Sequence, residues 1–322
     1  MADMSTLEGS FTTPDGHELY TKTWKPTSAL KARIVLIHGF SDHCNNFEPL
    51  STLLAQQGIA VYSFDQRGWG QSVHTPAEKG RSGPTGQVMD DITAFIEHVL
   101  SASEGSDTPL FLMGHSMGGA QVLLYASRYG PAEVISKIRG FLVEAPFVAL
   151  HPDSKPWKIT VVLGRLAGKL LPHMHMVNKL DPKKLCRDPD VCKALENDPL
   201  CHDTGTLEGL AGMLDRASLL ETGSVVLGEG RGEGGKTRLW VGHGTADGVC
   251  DYYACRKWYE NAQVKDKEMQ VYEGWYHVLH KELGEDKVRF AQDVAKWVLA
   301  RCEGDGVGQT EGADVVEERA RL

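Results

Sequence analysis

Six short, almost wholly apolar runs recur along the chain, with helix-length segments between most of them. They are Arg33-Ile34-Val35-Leu36-Ile37, Ala60-Val61-Tyr62-Ser63-Phe64, Leu110-Phe111-Leu112-Met113, Phe141-Leu142-Val143, Leu239-Trp240-Val241 and Met269-Gln270-Val271-Tyr272. A strand without polar alternation is buried on both faces, and such strands joined through helices form a parallel sheet between helical layers. A helix is expected over Met89–Leu100, where Ile92, Phe95, Ile96, Val99 and Leu100 share one side, and another over Ala291–Ala300. The chain opens on an expected antiparallel hairpin, Ser10–Thr13 and Glu18–Trp24 around a Pro14-Asp15-Gly16 turn.

The alternation stops between about Pro146 and Lys236. Helices are expected there at Lys158–Leu171 and Leu207–Leu220, with no strand of comparable quality, and a glycine-rich, flexible loop at Thr222–Lys236 returns the chain to the sheet. A mostly helical insertion between two strands of one sheet would sit over its edge as a cap. The expected organisation is therefore a first core segment at 1–146, a cap and connecting loop at 147–236, a second core segment at 237–302 and a disordered acidic tail at 303–322.

Chemistry enters at Gly114-His115-Ser116-Met117-Gly118-Gly119, a G-x-S-x-G pattern between a strand and a segment, Ala120–Ser127, that continues as helix. Small residues around Ser116 permit a strained turn that lifts its hydroxyl above the sheet end. A serine hydroxyl attacks only when a base takes its proton, and the base needs an orienting carboxylate. In this architecture the acid and then the histidine follow later strands. Asp247 follows Leu239–Val241 and His277 follows Met269–Tyr272, with Asp251 as a competing acid and His280 or His243 as competing bases. The oxyanion would meet the amide of Met117 and a donor from the loop His38-Gly39-Phe40.

Together with Phe64-Asp65-Gln66-Arg67-Gly68-Trp69-Gly70-Gln71-Ser72 and Tyr276-His277-Val278-Leu279-His280-Lys281-Glu282-Leu283, these motifs resemble the monoacylglycerol lipases of the α/β-hydrolase superfamily, over roughly residues 10 to 300. The resemblance implies an α/β-hydrolase fold, a mostly parallel central sheet flanked by helices with a helical cap inserted over the active site. It also implies a serine hydrolase that releases fatty acid and glycerol through an acyl-enzyme, with no cofactor and no metal. It assigns Ser116, Asp247 and His277 to the triad, the amides of Phe40 and Met117 to the oxyanion hole, and Asp42 and His280 to the glycerol end of the substrate. Cys250, three residues after the acid, is expected beside the bound acylglycerol. Phe40 and Asn46 depart from the animal pattern and resemble the fungal branch. A lysophospholipase or broad carboxylesterase would use the same triad. Epoxide hydrolases and dehalogenases resemble proteins with aspartate at the Ser116 position, and a non-catalytic binding protein would not need all three triad residues.

Other classes are disfavoured by composition. With 34 basic against 43 acidic residues the net charge is −9, unlike a general nucleic-acid binder. Seven cysteines, an odd number with no C-x-x-C pair, are expected to be reduced, and Cys186, Cys192 and Cys201, which share one segment, lack zinc-site spacing. His173 and His175 have no evident third ligand. The first residues lack a signal-peptide pattern, and the uncharged stretch Thr108–Ser127 is broken by glycines, so a cytoplasmic protein is expected. Lys158, Arg165 and Lys169 form a narrow basic stripe opposite a broad apolar face, so the cap is expected to rest on a membrane or lipid-droplet surface. Asp65, Arg67 and Ser72 are expected to fix a turn beneath the site. The oligomeric state is not legible in the sequence.

Overall fold

The computed structural model describes residues 4–102, 107–154 and 168–302. The strands are β1 (Met4–Thr12), β2 (Glu18–Pro26), β3 (Ala32–Ile37), β4 (Ile59–Phe64), β5 (Leu110–His115), β6 (Ile138–Glu144), β7 (His175–Val177), β8 (Thr204–Thr206), β9 (Arg238–Gly244) and β10 (Asp266–Tyr272). Eight of them form one sheet in the order β1-β2-β4-β3-β5-β6-β9-β10, parallel from β4 to β10 and antiparallel at the β1–β2 and β2–β4 pairs. Each of the six apolar runs lies within one strand; five of those strands are almost wholly buried, whereas the sixth run lies in β10 at the sheet edge, where Met269 and Gln270 are half-buried and Val271 is exposed.

Strand periodicity of two divides the core between the two faces. Val35 and Ile37 pack with Leu110 and Leu112 on one side, while Ile34 and Leu36 pack with Phe111 and Met113 on the other. The first side is covered by α2 (Thr85–Ser101) and α3 (Met117–Leu124), and the second by α1 (Glu48–Ala55) and, at the far end of the chain, a helix over Asp286–Leu299. In that last helix Phe290, Ala291, Val294, Ala295, Trp297 and Val298 recur at helical spacing and are buried. The nucleophile-elbow helix starts at Met117 rather than Ala120 and loosens into a π turn at Tyr125–Tyr129.

Between β6 and β9 the described chain forms short helices α4 (Pro182–Leu185) and α5 (Pro189–Asn197), then α6 (Leu207–Glu221). The insertion also contains strands that sequence patterning misses. β7 and β8 pair antiparallel, three residues each, too short to show a period. Residues 158–167 of the expected basic amphipathic helix, and the tail 303–322, lie outside the described residues. The glycine-rich return to β9 is anchored: Val225 and Leu227 are buried, and Arg231 donates to the carbonyls of Ala126 and Gly130.

The insertion is tied to the loops at the carboxyl ends of the strands. Arg187 donates to Glu282 and Asp286, Val278 N donates to the Leu185 carbonyl, and the His202 ring stacks on Trp69 at 5.0 Å. At Gly80 a Cβ would lie 2.1 Å from the carbonyl oxygen of Thr204, so only glycine allows the insertion to seat this closely. Among the described residues no helix is long and apolar enough to cross a membrane.

Candidate active site

Ser116 stands between β5 and α3 with φ 53° and ψ −116°, a strained conformation for a residue with a side chain. Its neighbours make the turn possible. A Cβ on Gly114 would meet the Gly118 carbonyl at 2.4 Å, and one on Gly118 would meet the Ile37 carbonyl at 2.3 Å. The Ser116 amide donates to the Glu144 carbonyl, and its carbonyl accepts from Phe147 N, so the turn is held from β6. Met117 opens α3, where the first amides of a helix find no partner within it.

His277 lies on the loop after β10 and Asp247 on the loop after β9. The His277 Nδ1–H donates to Oδ2 of Asp247 at 2.8 Å, and both side chains are buried. His243 Nε2 reaches the same oxygen at 3.1 Å, while the other oxygen accepts from the amides of Val249 and Cys250. Burial alone would raise the Asp247 pKa, but His277 and His243 outweigh it and hold the carboxyl far below the usual range. The competitors are placed elsewhere. Asp251 caps the helix Tyr252–Asn261, accepting from the amides of Tyr253 and Ala254, and does not line the cavity, while His243 is packed behind Asp247.

Ser116, His277, Phe40, Asp42 and His280 line one cavity, which the insertion closes with Leu180, Pro182, Leu185 and Leu195. The oxyanion-loop candidate Phe40 packs edge-on against Trp69 at 4.9 Å. The loop itself is pinned by Gln66, whose amide donates to His38 Nε2 and whose side chain donates to the His38 carbonyl. Asp42 accepts from His43 N and from Asn46 Nδ2. Its burial would raise the carboxyl, but His38, His115, His43 and Lys281 bring it down to about 2. Lys281 donates to Asn46 Oδ1, so Asn46 joins Lys281 to Asp42, and Lys179, Glu196 and Asp203 also line the cavity. Burial holds the Lys281 ammonium below its ordinary pKa.

Cys250 differs from expectation. It is fully buried and absent from the cavity wall: Asp247 accepts from its backbone amide, and its thiol lies beside the Ser116 hydroxyl and within 4.8 Å of the facing atoms of Asp247 and His277. Burial, with Asp247 beside it, pushes the thiol pKa well up. All seven cysteines are free. His173 and His175 lie apart from the cavity, beside Arg81 and the Ala77 carbonyl. Asp65, Arg67 and Ser72 do hold a turn: Asp65 accepts from Cys44 N and Gln71 N, Ser72 bonds Asp65 O, and Arg67 grips Asp91 with two nitrogens.

Two pairings escape sequence reading. His43 Nε2 lies 2.8 Å from Asp198 Oδ2, linking the oxyanion loop to the insertion. Glu144, fully buried, accepts from His280 Nδ1 and from His280 N. A charged residue closing the apolar run Phe141-Leu142-Val143 is the one signal that pointed to Glu144.

Residues 28–284 match the family described as serine aminopeptidase, S33 (Hydrolase_4). The chain is 33% identical to a Schizosaccharomyces pombe protein named provisionally as a monoglyceride lipase, over 93% of this chain and 76% of that one. It is 30% identical to the monoglyceride lipase of Mus musculus, over 91% of each. The chain belongs to the monoglyceride lipase family of serine ester hydrolases. The α/β-hydrolase fold of that family is shared with a soluble variant of the Saccharomyces cerevisiae monoglyceride lipase, at TM-score 0.79 and 24% identity, covering 94% of this chain and 95% of that one. Ser116 and His277 line one cavity, and Asp247 is buried behind the imidazole.

Proposed function

We propose that the protein hydrolyses monoacylglycerols to fatty acid and glycerol. The observation that carries this reading is the His277–Asp247 pair, 2.8 Å apart and buried, on a cavity shared with a strained elbow serine. His277 takes the Ser116 proton as the serine oxygen attacks the ester carbonyl. The amides of Phe40 and Met117 stabilise the resulting oxyanion. Collapse expels the glycerol oxygen, which receives the proton from His277, and leaves an acyl-serine. Water, deprotonated by His277, then attacks the acyl carbonyl; the acyl–Ser116 bond breaks as His277 returns that proton to the serine oxygen, and the fatty acid leaves. The ionised Asp247 stabilises the imidazolium at both stages.

The cavity offers surface for both parts of such an ester. Leu180, Pro182, Leu185 and Leu195 offer apolar surface for an acyl chain, whereas Asp42, Asn46 and Lys281 supply polar groups for the alcohol part. The insertion also exposes Leu170, Leu171, Met174, Met176 and Val177 beside Lys169, a surface suited to resting on a membrane or lipid droplet. A panel of monoacyl-, diacyl- and triacylglycerols with lysophosphatidylcholine tests the substrate. Monoacylglycerol is expected to give the highest kcat/KM, and a preference for the lysophospholipid would overturn the reading.

A further inference from the structure

The cavity holds a second imidazole–carboxylate pair. Glu144 closes β6, next to the elbow strand β5, and is fully buried. Its Oε1 accepts from the His280 amide at 3.1 Å, and its two oxygens lie 2.8 and 3.0 Å from His280 Nδ1. The ring is clamped, stacked on Phe47 at 4.2 Å and edge-on to His115 at 5.3 Å. Its other nitrogen, Nε2, is buried without a hydrogen-bond partner, and the residue lines the cavity with Ser116 and His277. Burial of Glu144 opposes ionisation, but His280 and His115 outweigh it and keep the carboxyl below its usual pKa.

We propose that Glu144 is a positioning residue that fixes His280 as the Nδ1–H tautomer, so that Nε2 accepts a hydrogen bond from a hydroxyl of the substrate's alcohol part. This rests on the proposed ester-hydrolase reading and deepens it, because it makes Glu144 a determinant of selectivity for esters of polyols. An ionised carboxylate only accepts, so Nδ1 must donate to it, and in its uncharged form the ring then offers a lone pair at Nε2. Glutamine at 144 would reverse this polarity. With its carbonyl oxygen at the Oε1 position, accepting from the His280 amide, its NH₂ would stand where Oε2 lies 3.0 Å from Nδ1, and that donor favours a ring carrying its proton on Nε2. A substrate hydroxyl would then face a donor.

The test compares Glu144→Gln with wild type on two esters of one acyl chain, a 1-monoacylglycerol and a p-nitrophenyl ester that lacks hydroxyls. The glyceryl ester is expected to lose kcat/KM at least about tenfold more than the p-nitrophenyl ester, the scale of one lost buried hydrogen bond. Glu144→Asp, which keeps an acceptor-only group, should recover part of that selectivity, and it serves alone if Glu144→Gln does not fold, with a smaller selective loss expected. In the double variant Glu144→Gln/His280→Asn the selectivity should be no lower than in His280→Asn. Parallel losses on both esters would show a merely structural role and overturn the proposal, as would unchanged selectivity in both Glu144 variants. A wild-type enzyme that cleaves the p-nitrophenyl ester but no glyceryl ester would instead overturn the functional reading, and this proposal with it.

Discussion

Oδ2 of Asp247 is shared by two imidazoles, His277 at 2.8 Å and His243 at 3.1 Å, so the carboxylate is held from the cavity side and from the core side at once. With Oδ1 occupied by two amides, the acid cannot turn away from His277. Asp247→Asn would set an NH₂ or a weaker acceptor against these donors. We expect kcat to fall by about 10⁴-fold with little change in KM, the scale known for a misassigned histidine tautomer. Steady-state kinetics beside a thermal melt checks this, and a loss below tenfold in a folded protein would argue against the assignment of Asp247.

Cys250 is expected to resist thiol reagents in the folded protein. Its thiol is buried beside Ser116, and its pKa is raised, so neither access nor thiolate is available. Peptide mapping after native maleimide treatment should find Cys250 unlabelled and labelled only once denaturant is added. Native labelling as fast as that of the half-buried Cys192 would show that the loop after Asp247 opens to solvent.

Acid should destabilise the fold between about pH 6.5 and 4. Burial holds His115 neutral, down from 6.5 to about 4. The unfolded chain binds the proton that the fold refuses, so the contribution of His115 is complete above about 6.5 and is lost as pH falls towards 4. His38, His17 and His202 are lowered by burial in the same direction. The melting temperature is expected to fall across this window, and less steeply in His115→Asn. Equal slopes in both proteins would remove His115 from the explanation.

Charge placed on the exposed apolar surface of the insertion should separate lipid docking from chemistry. Leu170 is 83% and Val177 70% exposed. Leu170→Glu/Val177→Glu is expected to reduce sedimentation with vesicles several-fold and to slow hydrolysis of emulsified monoacylglycerol. A soluble short-chain ester should be cleaved as before. Unchanged vesicle binding would mean that this surface does not meet lipid.

The sheet was legible because burial on both faces leaves runs of apolar residues in β3 to β6, and a glycine-flanked serine marks the close turn from β5 into α3. Asp247 and His277 were legible by chain order, each just past a strand. Other parts were not. The helix Tyr252–Asn261 buries only Tyr252, Cys255 and Trp258, too thin a stripe among charged residues. His43 and Asp198 are 155 residues apart, and Glu144 and His280 are 136 apart, pairings that only the folded chain creates. Cys250 stands beside Ser116 and His277 yet is not part of the cavity wall, because closeness in sequence to Asp247 does not fix which way a loop side chain turns.

The central claim is that Ser116 carries the hydrolysis, and Ser116→Ala tests it most directly. Monoacylglycerol turnover by that variant, measured beside a melt confirming the fold, is expected to fall by about 10⁴-fold or more. A folded Ser116→Ala protein retaining more than about a tenth of the wild-type rate would contradict it.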